Sequence, residues 1–250
     1  MSKLKKVVVI GGTGLIGSKV VKLLEDANHE VVVASTRKGI NAFTGEGLAQ
    51  AVTGADAVID VSNIMSFDKQ ALTEFFGNSS RNLTSAEKAA GVRHHVVLSI
   101  VNADGLAANP YMAGKLEQEE TVAASGQPYT IVRATQFHEF LEALTDAYSA
   151  DGAVKVPDID FQPIAADDVA ATLVEVALGA PKNGTIDLSG PERASFETFI
   201  RTYVGAKGDG RPVSADAGVN YFGAPVVTRS LVPTGNYIKG GITLAQWLET

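Results

Sequence analysis

Residues 6–17 read Lys6-Val7-Val8-Val9-Ile10-Gly11-Gly12-Thr13-Gly14-Leu15-Ile16-Gly17, a short unbroken apolar run followed by four glycines in seven residues. A β-branched run without polar interruption is the pattern of a strand buried on both faces, as in parallel sheets. Beyond it Val20, Val21, Leu23 and Leu24 recur at helical spacing. Strand, glycine loop and helix in that order put the free N–H groups of a helix start beyond the strand, where they suit an anion such as a pyrophosphate. The stretch satisfies both G-x-G-x-x-G (Gly12, Gly14, Gly17) and G-x-x-G-x-x-G (Gly11, Gly14, Gly17). Early glycines permit the tight turn and a close backbone approach to the anion, with Thr13, Leu15 and Ile16 completing the loop, and Gly17 permits close helix–strand packing.

Outward from this unit the same rhythm continues. Strands are expected at Lys6–Ile10, Glu30–Ser35, Ala57–Val61, His95–Ile100 and Tyr129–Arg133, with helices over Gly14–Ala27, Phe67–Ala90 and Tyr111–Ser125 between them. Gly91, Gly126 and Pro128 fall just past two of the helix ends. The expectation is an α/β fold, a doubly wound parallel sheet with helices on both faces. After Arg133 the punctuation thickens, with Asp151-Gly152, Pro157, Pro163, Pro181, Asn183-Gly184 and Gly190-Pro191. Helices are expected over Asp167–Leu178 and Ser195–Val204, and a strand over Thr185–Leu188. The division expected is residues 1–155 for a dinucleotide-binding domain and 156–250 for a smaller C-terminal substrate lobe packed on it, with the helix near 167–178 returning to the first domain.

The chain has 250 residues, 45% apolar and 20% charged, enough for a large core and unlike a disordered composition. Cysteine is absent, which excludes disulfides and thiol nucleophiles and fits a reducing, cytoplasmic compartment. No apolar run is long enough for a membrane span or a signal-peptide core. Twenty-one basic against twenty-eight acidic side chains give −7, and Lys3, Lys5, Lys6 and Lys19 do not outweigh that balance, so nucleic acid is not an expected partner.

A dinucleotide site of this kind ordinarily carries an acidic residue at the end of the second strand, on the ribose hydroxyls. Here that place reads Ser35-Thr36-Arg37-Lys38. Two hydroxyls and two cations suit the 2′-phosphate of NADP better than the bare ribose of NAD, with Arg37 able to bind it in bidentate fashion. Further on, Tyr111 and Lys115 stand at i and i+4 on one helix face, and Ser99 closes the fourth strand. A neighbouring ammonium favours the phenolate, so Lys115 is expected to lower the Tyr111 pKa while holding the nicotinamide ribose. Ser99 would steady a carbonyl oxygen and Tyr111 would hand it a proton.

With these residues in place the chain resembles a short-chain dehydrogenase/reductase of the extended or atypical kind, the NmrA-like group in particular. The resemblance covers much of the N-terminal two-thirds. It runs through Lys6–Gly17, Asp56–Asn63, Ser80-Arg81-Asn82-Leu83, Ala89–Val92, Val96–Ser99, Tyr111 with Lys115, and Pro128–Arg133 with Phe137. It continues through Gln162-Pro163-Ile164 and Asp167–Ala170. It implies a Rossmann-type fold, with Val61, Ser62 and Asn63 beside the adenine and ribose and Thr135 and Phe137 in the loop over the nicotinamide. It implies an NADP-dependent reductase of a small carbonyl substrate. It equally allows a non-catalytic sensor of dinucleotide redox state. Two departures stand out: Arg133-Ala134-Thr135 replaces the Arg-Pro-Gly of many relatives, and Phe76 takes the place of an asparagine that supports a proton relay in many active members.

No metal site is expected, because adjacent His94 and His95 would point to opposite faces of a strand, and His29 and His138 are remote in sequence. His138 and Glu139 are read as solvent-facing helix residues, with lining of a substrate pocket as the alternative, and Asp167-Asp168 as favourable charge at a helix start. Trp247 is expected in a terminal apolar patch with Ile242, Leu244 and Leu248. Tyr221, Phe222 and Tyr237 are read as core or as shaping a substrate cavity. The partner expected is a small molecule, with the chain as monomer or homodimer.

Overall fold

Alternation along the first strand sets the layers. In β1 (Lys6–Ile10), Val7 and Val9 pack on one face of the sheet and Val8 and Ile10 on the other. The structure, a computed structural model, describes residues 5–250, so Lys3 of the basic N-terminal group lies outside the described residues.

After β1 come α1 (Leu15–Asp26), β2 (Glu30–Ala34), α2 (Leu48–Val52), β3 (Ala57–Asp60) and α3 (Lys69–Ala90). They are followed by β4 (His94–Ile100), α4 (Pro110–Ala124), β5 (Tyr129–Ala134) and α5 (Leu141–Ala147). Next are β6 (Ser149–Ala150), β7 (Ala153–Pro157), β8 (Asp160–Phe161), α6 (Ala166–Leu178) and β9 (Gly184–Ser189). The chain closes with β10 (Ala194–Ser195), α7 (Phe196–Ala206), β11 (Val213–Asp216), β12 (Tyr237–Lys239) and α8 (Leu244–Leu248).

Seven strands form one parallel sheet in the order β12-β9-β5-β4-β3-β1-β2. This is the Rossmann-like doubly wound α/β fold, with α1 and α6 covering one face and α2, α3 and α4 the other. Strand order reverses between β1 and β3, the place where open α/β sheets bind their ligands.

Local chemistry explains the helices that matter to the site. Asp68 caps α3 through a bond from the Ala71 N–H at 2.9 Å, and Gly91 ends it in the left-handed conformation. Asn109 caps α4, accepting from the N–H groups of Tyr111 and Met112, and Pro110 occupies the first helical position, so α4 begins one residue before the sequence pattern suggests.

A second core lies beside the sheet. It collects Leu106, Leu141 and Leu144, the β7 valines Val154 and Val156, and a stack of Phe161 on Phe196 at 4.2 Å between centroids. β11 pairs with β7 in a small separate sheet, whereas β9 and β12 belong to the large one and α6 packs on it, so the two cores interleave along the chain. Lys5, Lys6 and Lys19 are engaged by the Leu178 carbonyl, Glu30 and Asp167. Among the described residues no helix is long and apolar enough to cross a membrane.

Candidate active site

Strands β1 to β5 end at the rim of a cavity of about 850 Å³. The glycine loop forms its floor. Gly11 has φ +77°, a conformation L side chains rarely adopt. A Cβ on Gly17 would stand 2.1 Å from the Gly11 carbonyl oxygen, and one on Gly12 would meet Val33 and the Val9 carbonyl at 2.9 Å. These three glycines are required by the chain's own packing. Gly14 is different: a Cβ there meets only the Gly11 oxygen, at 3.3 Å, and its open side belongs to the cavity. Gly14 also caps α1 without a side-chain bond, and no acidic residue occupies the first turn, so the positive end of the helix is uncompensated.

The cavity wall brings together Gly11, Thr13, Gly14, Leu15, Ile16, Gly17, Ser35, Thr36, Val61, Ser62, Asn63, Ser99, Tyr111, Lys115, Thr135 and Phe137. It leaves out Gly12, which packs between β2 and α1, and Arg37 and Lys38, which stand exposed on a 3-10 turn over Thr36–Lys38 just outside. The hydroxyl oxygens of Ser35, Ser62 and Ser99 are buried with no hydrogen-bond partner. Three residues with orphaned, buried hydroxyls in the wall of one cavity, beside a helix N-terminus and a glycine cradle, fit a long polar ligand with an anionic centre.

Lys115 is buried on α4. Its ammonium donates to the Leu98 carbonyl at 2.7 Å and to the Gln118 side chain, and it lies 4.7 Å from the centre of the Phe76 ring. Gln118 in turn donates to Asp60 at 2.9 Å, and the other Asp60 oxygen accepts from the Ser62 N–H at 2.9 Å. Burial pulls the Lys115 pKa down to about 8, against the opposing pull of Asp60 and Glu119. Phe76 fits beneath because residue 114 is glycine; a Cβ there would stand 2.9 Å from the ring.

Tyr111 corrects the expectation of a lowered phenol. Its hydroxyl donates to Asn63 Oδ1 at 2.9 Å, its ring meets Phe76 edge-on at 5.8 Å, and burial pushes its pKa up to about 12. The Lys115 hydrogen bonds run to Leu98 and Gln118, away from the phenol.

Asp60, Gln118 and the Asn63–Tyr111 bond were not legible as site features. A charged residue ending the apolar run Ala57-Val58-Ile59-Asp60 was the available signal for the first. Beyond Tyr111 the wall continues with Gln136 and Tyr221, joined by a 2.7 Å bond from the tyrosine hydroxyl, and with Phe140 and Phe222. Tyr237 stands on β12, where its hydroxyl accepts from Gln162. Burial pushes the Tyr221 pKa up, keeping that hydroxyl protonated.

His138 and Glu139 are not solvent-facing as their positions suggest. His138 is buried, and Glu139 accepts from the Ala166 N–H at 3.1 Å and from the Trp247 indole at 3.1 Å, so it caps α6. Asp167 and Asp168 stand in the first turn of α6 as expected, and each also bonds elsewhere: one pairs with Lys19, the other accepts from the N–H groups of Gly241 and Ile242. His94 and His95 do point to opposite faces, toward Thr130 and toward Glu87. Arg133 is held by Glu119 and Asp104.

A family model described as NAD(P)H-binding matches residues 11–179. The photosystem II assembly factor Ycf39 of Synechocystis sp. (strain ATCC 27184 / PCC 6803 / Kazusa) is 30% identical over 173 residues, 64% of this chain and 50% of that protein. This chain thus spans about half the length of that relative. The NAD(P)H azoreductase of Xenophilus azovorans is 28% identical over 227 residues, 83% of this chain and 75% of that protein. The fold resembles the crystal structure of dTDP-4-dehydrorhamnose reductase from Bacillus anthracis str. Ames in complex with NADP, with a TM-score of 0.69 at 15% identity over 97% of this chain and 92% of that one.

Proposed function

The chain belongs to the NAD(P)H-binding family, among the extended and atypical short-chain dehydrogenases/reductases, and from that premise we propose that it is an NADP-dependent reductase of a small carbonyl substrate. One observation carries the reading: Ser99, Tyr111 and Lys115 line the same cavity as the glycine loop, with the buried hydroxyls of Ser35, Ser62 and Ser99 unpartnered in its wall.

Gly11 to Gly17 and the α1 N-terminus would hold the pyrophosphate, Ser62 and Asn63 the adenosine side, and Lys115, Thr135 and Phe137 the nicotinamide side. Ser35 and Thr36 line the cavity where the adenosine ribose would lie, and Arg37 on the adjoining turn would reach a 2′-phosphate from outside. When bound, the nicotinamide supplies a hydride. Ser99 would donate to the substrate oxygen, and Tyr111, protonated across the neutral range, would act as the acid. The azoreductase relative is a reductase using the same cofactor class, which agrees with this assignment.

A second reading, a dinucleotide-responsive binding protein without turnover, is favoured by the raised Tyr111 pKa and by Phe76 beneath Lys115. The two are separated by following NADPH absorbance with a panel of carbonyl acceptors and comparing the Tyr111→Phe variant. The reductase reading expects catalytic NADPH oxidation that Tyr111→Phe reduces by at least about a hundredfold, within the usual range for a general acid, with cofactor affinity nearly intact. Undiminished turnover in the variant removes Tyr111 from the mechanism, and stoichiometric binding without turnover supports the sensor.

A further inference from the structure

Past Tyr111 the cavity changes character. Its wall there includes Phe137, Phe140, Tyr221 and Phe222, and Met112 also lines the cavity. Phe137 and Phe140 stack at 5.9 Å and 27°, while Tyr221 and Phe222 meet edge-on at 5.0 Å. Phe140 and Phe222 remain 41% and 45% exposed, two large rings left half open at the mouth of one cavity.

Charge is as informative as shape. Among the described residues lining the cavity, Lys115 is the sole lysine or arginine, and no Asp, Glu or His is present. The Lys115 ammonium is already bonded to Leu98 and Gln118. A substrate carboxylate or phosphate in this end would be stripped of water with no free cation to meet it, a costly arrangement. Flat π-faces, by contrast, are what exposed phenylalanines recognise.

Phe222 is also held in place. Its φ is +45°, in the left-handed region that a bulky residue enters only when its surroundings impose it. The Asn109 side chain donates to the Phe222 carbonyl at 3.3 Å, and the same side chain caps α4 through Tyr111 and Met112. One residue therefore fixes both the helix start that presents Tyr111 and the backbone of Phe222.

We propose that the acceptor is an uncharged aromatic carbonyl compound, its ring against Phe140 and Phe222 and its oxygen at Ser99 and Tyr111; this rests on the reductase reading above. The carbonyl carbon accepts a hydride, the C–O π pair takes the proton of the Tyr111 hydroxyl, and an alcohol results. Reduced NADPH is the two-electron donor and leaves as NADP⁺, and the tyrosine regains its proton from solvent.

The test uses the full chain with three aldehydes: 2-naphthaldehyde, its 6-carboxy derivative, and cyclohexanecarbaldehyde. Turnover is followed with NADPH, and binding by calorimetry in saturating NADP⁺, where reduction cannot proceed. The naphthaldehyde is expected to exceed each of the others by about tenfold or more in both assays, the equivalent of about 1.4 kcal/mol. Phe140→Leu and Phe222→Leu are expected to shrink its advantage over the cyclohexyl compound. Equal handling of the carboxylate or of the cyclohexyl ring overturns the inference, as does an unchanged ratio in both leucine variants. If the binding order holds but nothing is reduced, the ligand class stands and the reductase reading falls. If NADP⁺ itself does not bind, both fall.

Discussion

Gly14 and Gly17 belong to one loop and answer to different demands. A methyl at 17 collides with the Gly11 backbone at 2.1 Å, whereas a methyl at 14 meets a single oxygen at 3.3 Å and otherwise enters the cavity. Gly17→Ala is therefore expected to lower thermal stability and cofactor affinity together. Gly14→Ala is expected to lower affinity with the melting temperature nearly unchanged, as paired thermal melts and nucleotide titrations would show. Lys115 gives a pH prediction. With its pKa drawn down to about 8, the ammonium is present below that pH and lost above it, so cofactor affinity should fall as pH rises through about 8. Gln118→Leu removes an acceptor of the charged form and should move the inflection lower. Stability follows the opposite course: between about pH 8 and the unfolded lysine value near 10.5 the unfolded chain binds more protons, so folding gains as pH rises through that window. The glycines and Lys115 were legible because their chemistry is local in sequence. Asp60 with Gln118, and Asn63 with Tyr111, were not, since each pair is joined only when β3 and α4 are brought together by the fold.

Elements divide along the same line. Strands β1 to β5 and helices α1, α3, α4, α6 and α7 carry enough residues for a period to declare itself, and the expected bounds match to within two residues. β6, β8, β10 and β12 have two or three residues, and α2 only five. Their existence depends on distant partners, as β12 depends on β9 and β11 on β7. The second core rests instead on aromatic packing between β8 and α7. Phe196 is fully buried, stacked on Phe161 and edge-on to Tyr148. Phe196→Ala should cost about 3–5 kcal/mol in urea unfolding. A loss below about 1 kcal/mol would mean that this core collapses around the cavity far more readily than close packing allows.

At the scale of the molecule, acid should weaken the fold through its buried histidines. Burial holds His94 and His138 down to about 4, below the ordinary value of 6.5. As pH falls from about 6.5 to about 4 the unfolded chain takes up protons these side chains refuse, so stability drops across that window. His95 acts in reverse, because Glu87 raises its pKa and its stabilisation is full below the unfolded value and lost as pH rises through the folded one. Denaturant melts at pH 7, 5.5 and 4 should show the decline. His138→Gln should flatten it and Glu87→Gln should steepen it, and an unchanged slope in both variants would contradict the assignment. The parallel sheet was legible at this scale from the strand–helix rhythm, whereas its strand order was not. The return of the helix near 167–178 to the first core was legible too, but that of residues 184–189 and 237–239 was not, because no local pattern says that they join the first sheet.

The cavity between the glycine loop and Tyr111 is proposed to be an NADP(H) site. Equilibrium affinities for NADPH, NADP⁺, NADH and NAD⁺ on cofactor-stripped protein test it most directly, with Arg37→Ala measured alongside. The 2′-phosphate is expected to tighten binding by about one to two orders of magnitude, about 1.4–2.8 kcal/mol, and Arg37→Ala to remove most of that difference. Equal affinity for NADH and NADPH would contradict the role given to Arg37, and failure to bind any of the four would contradict the site itself.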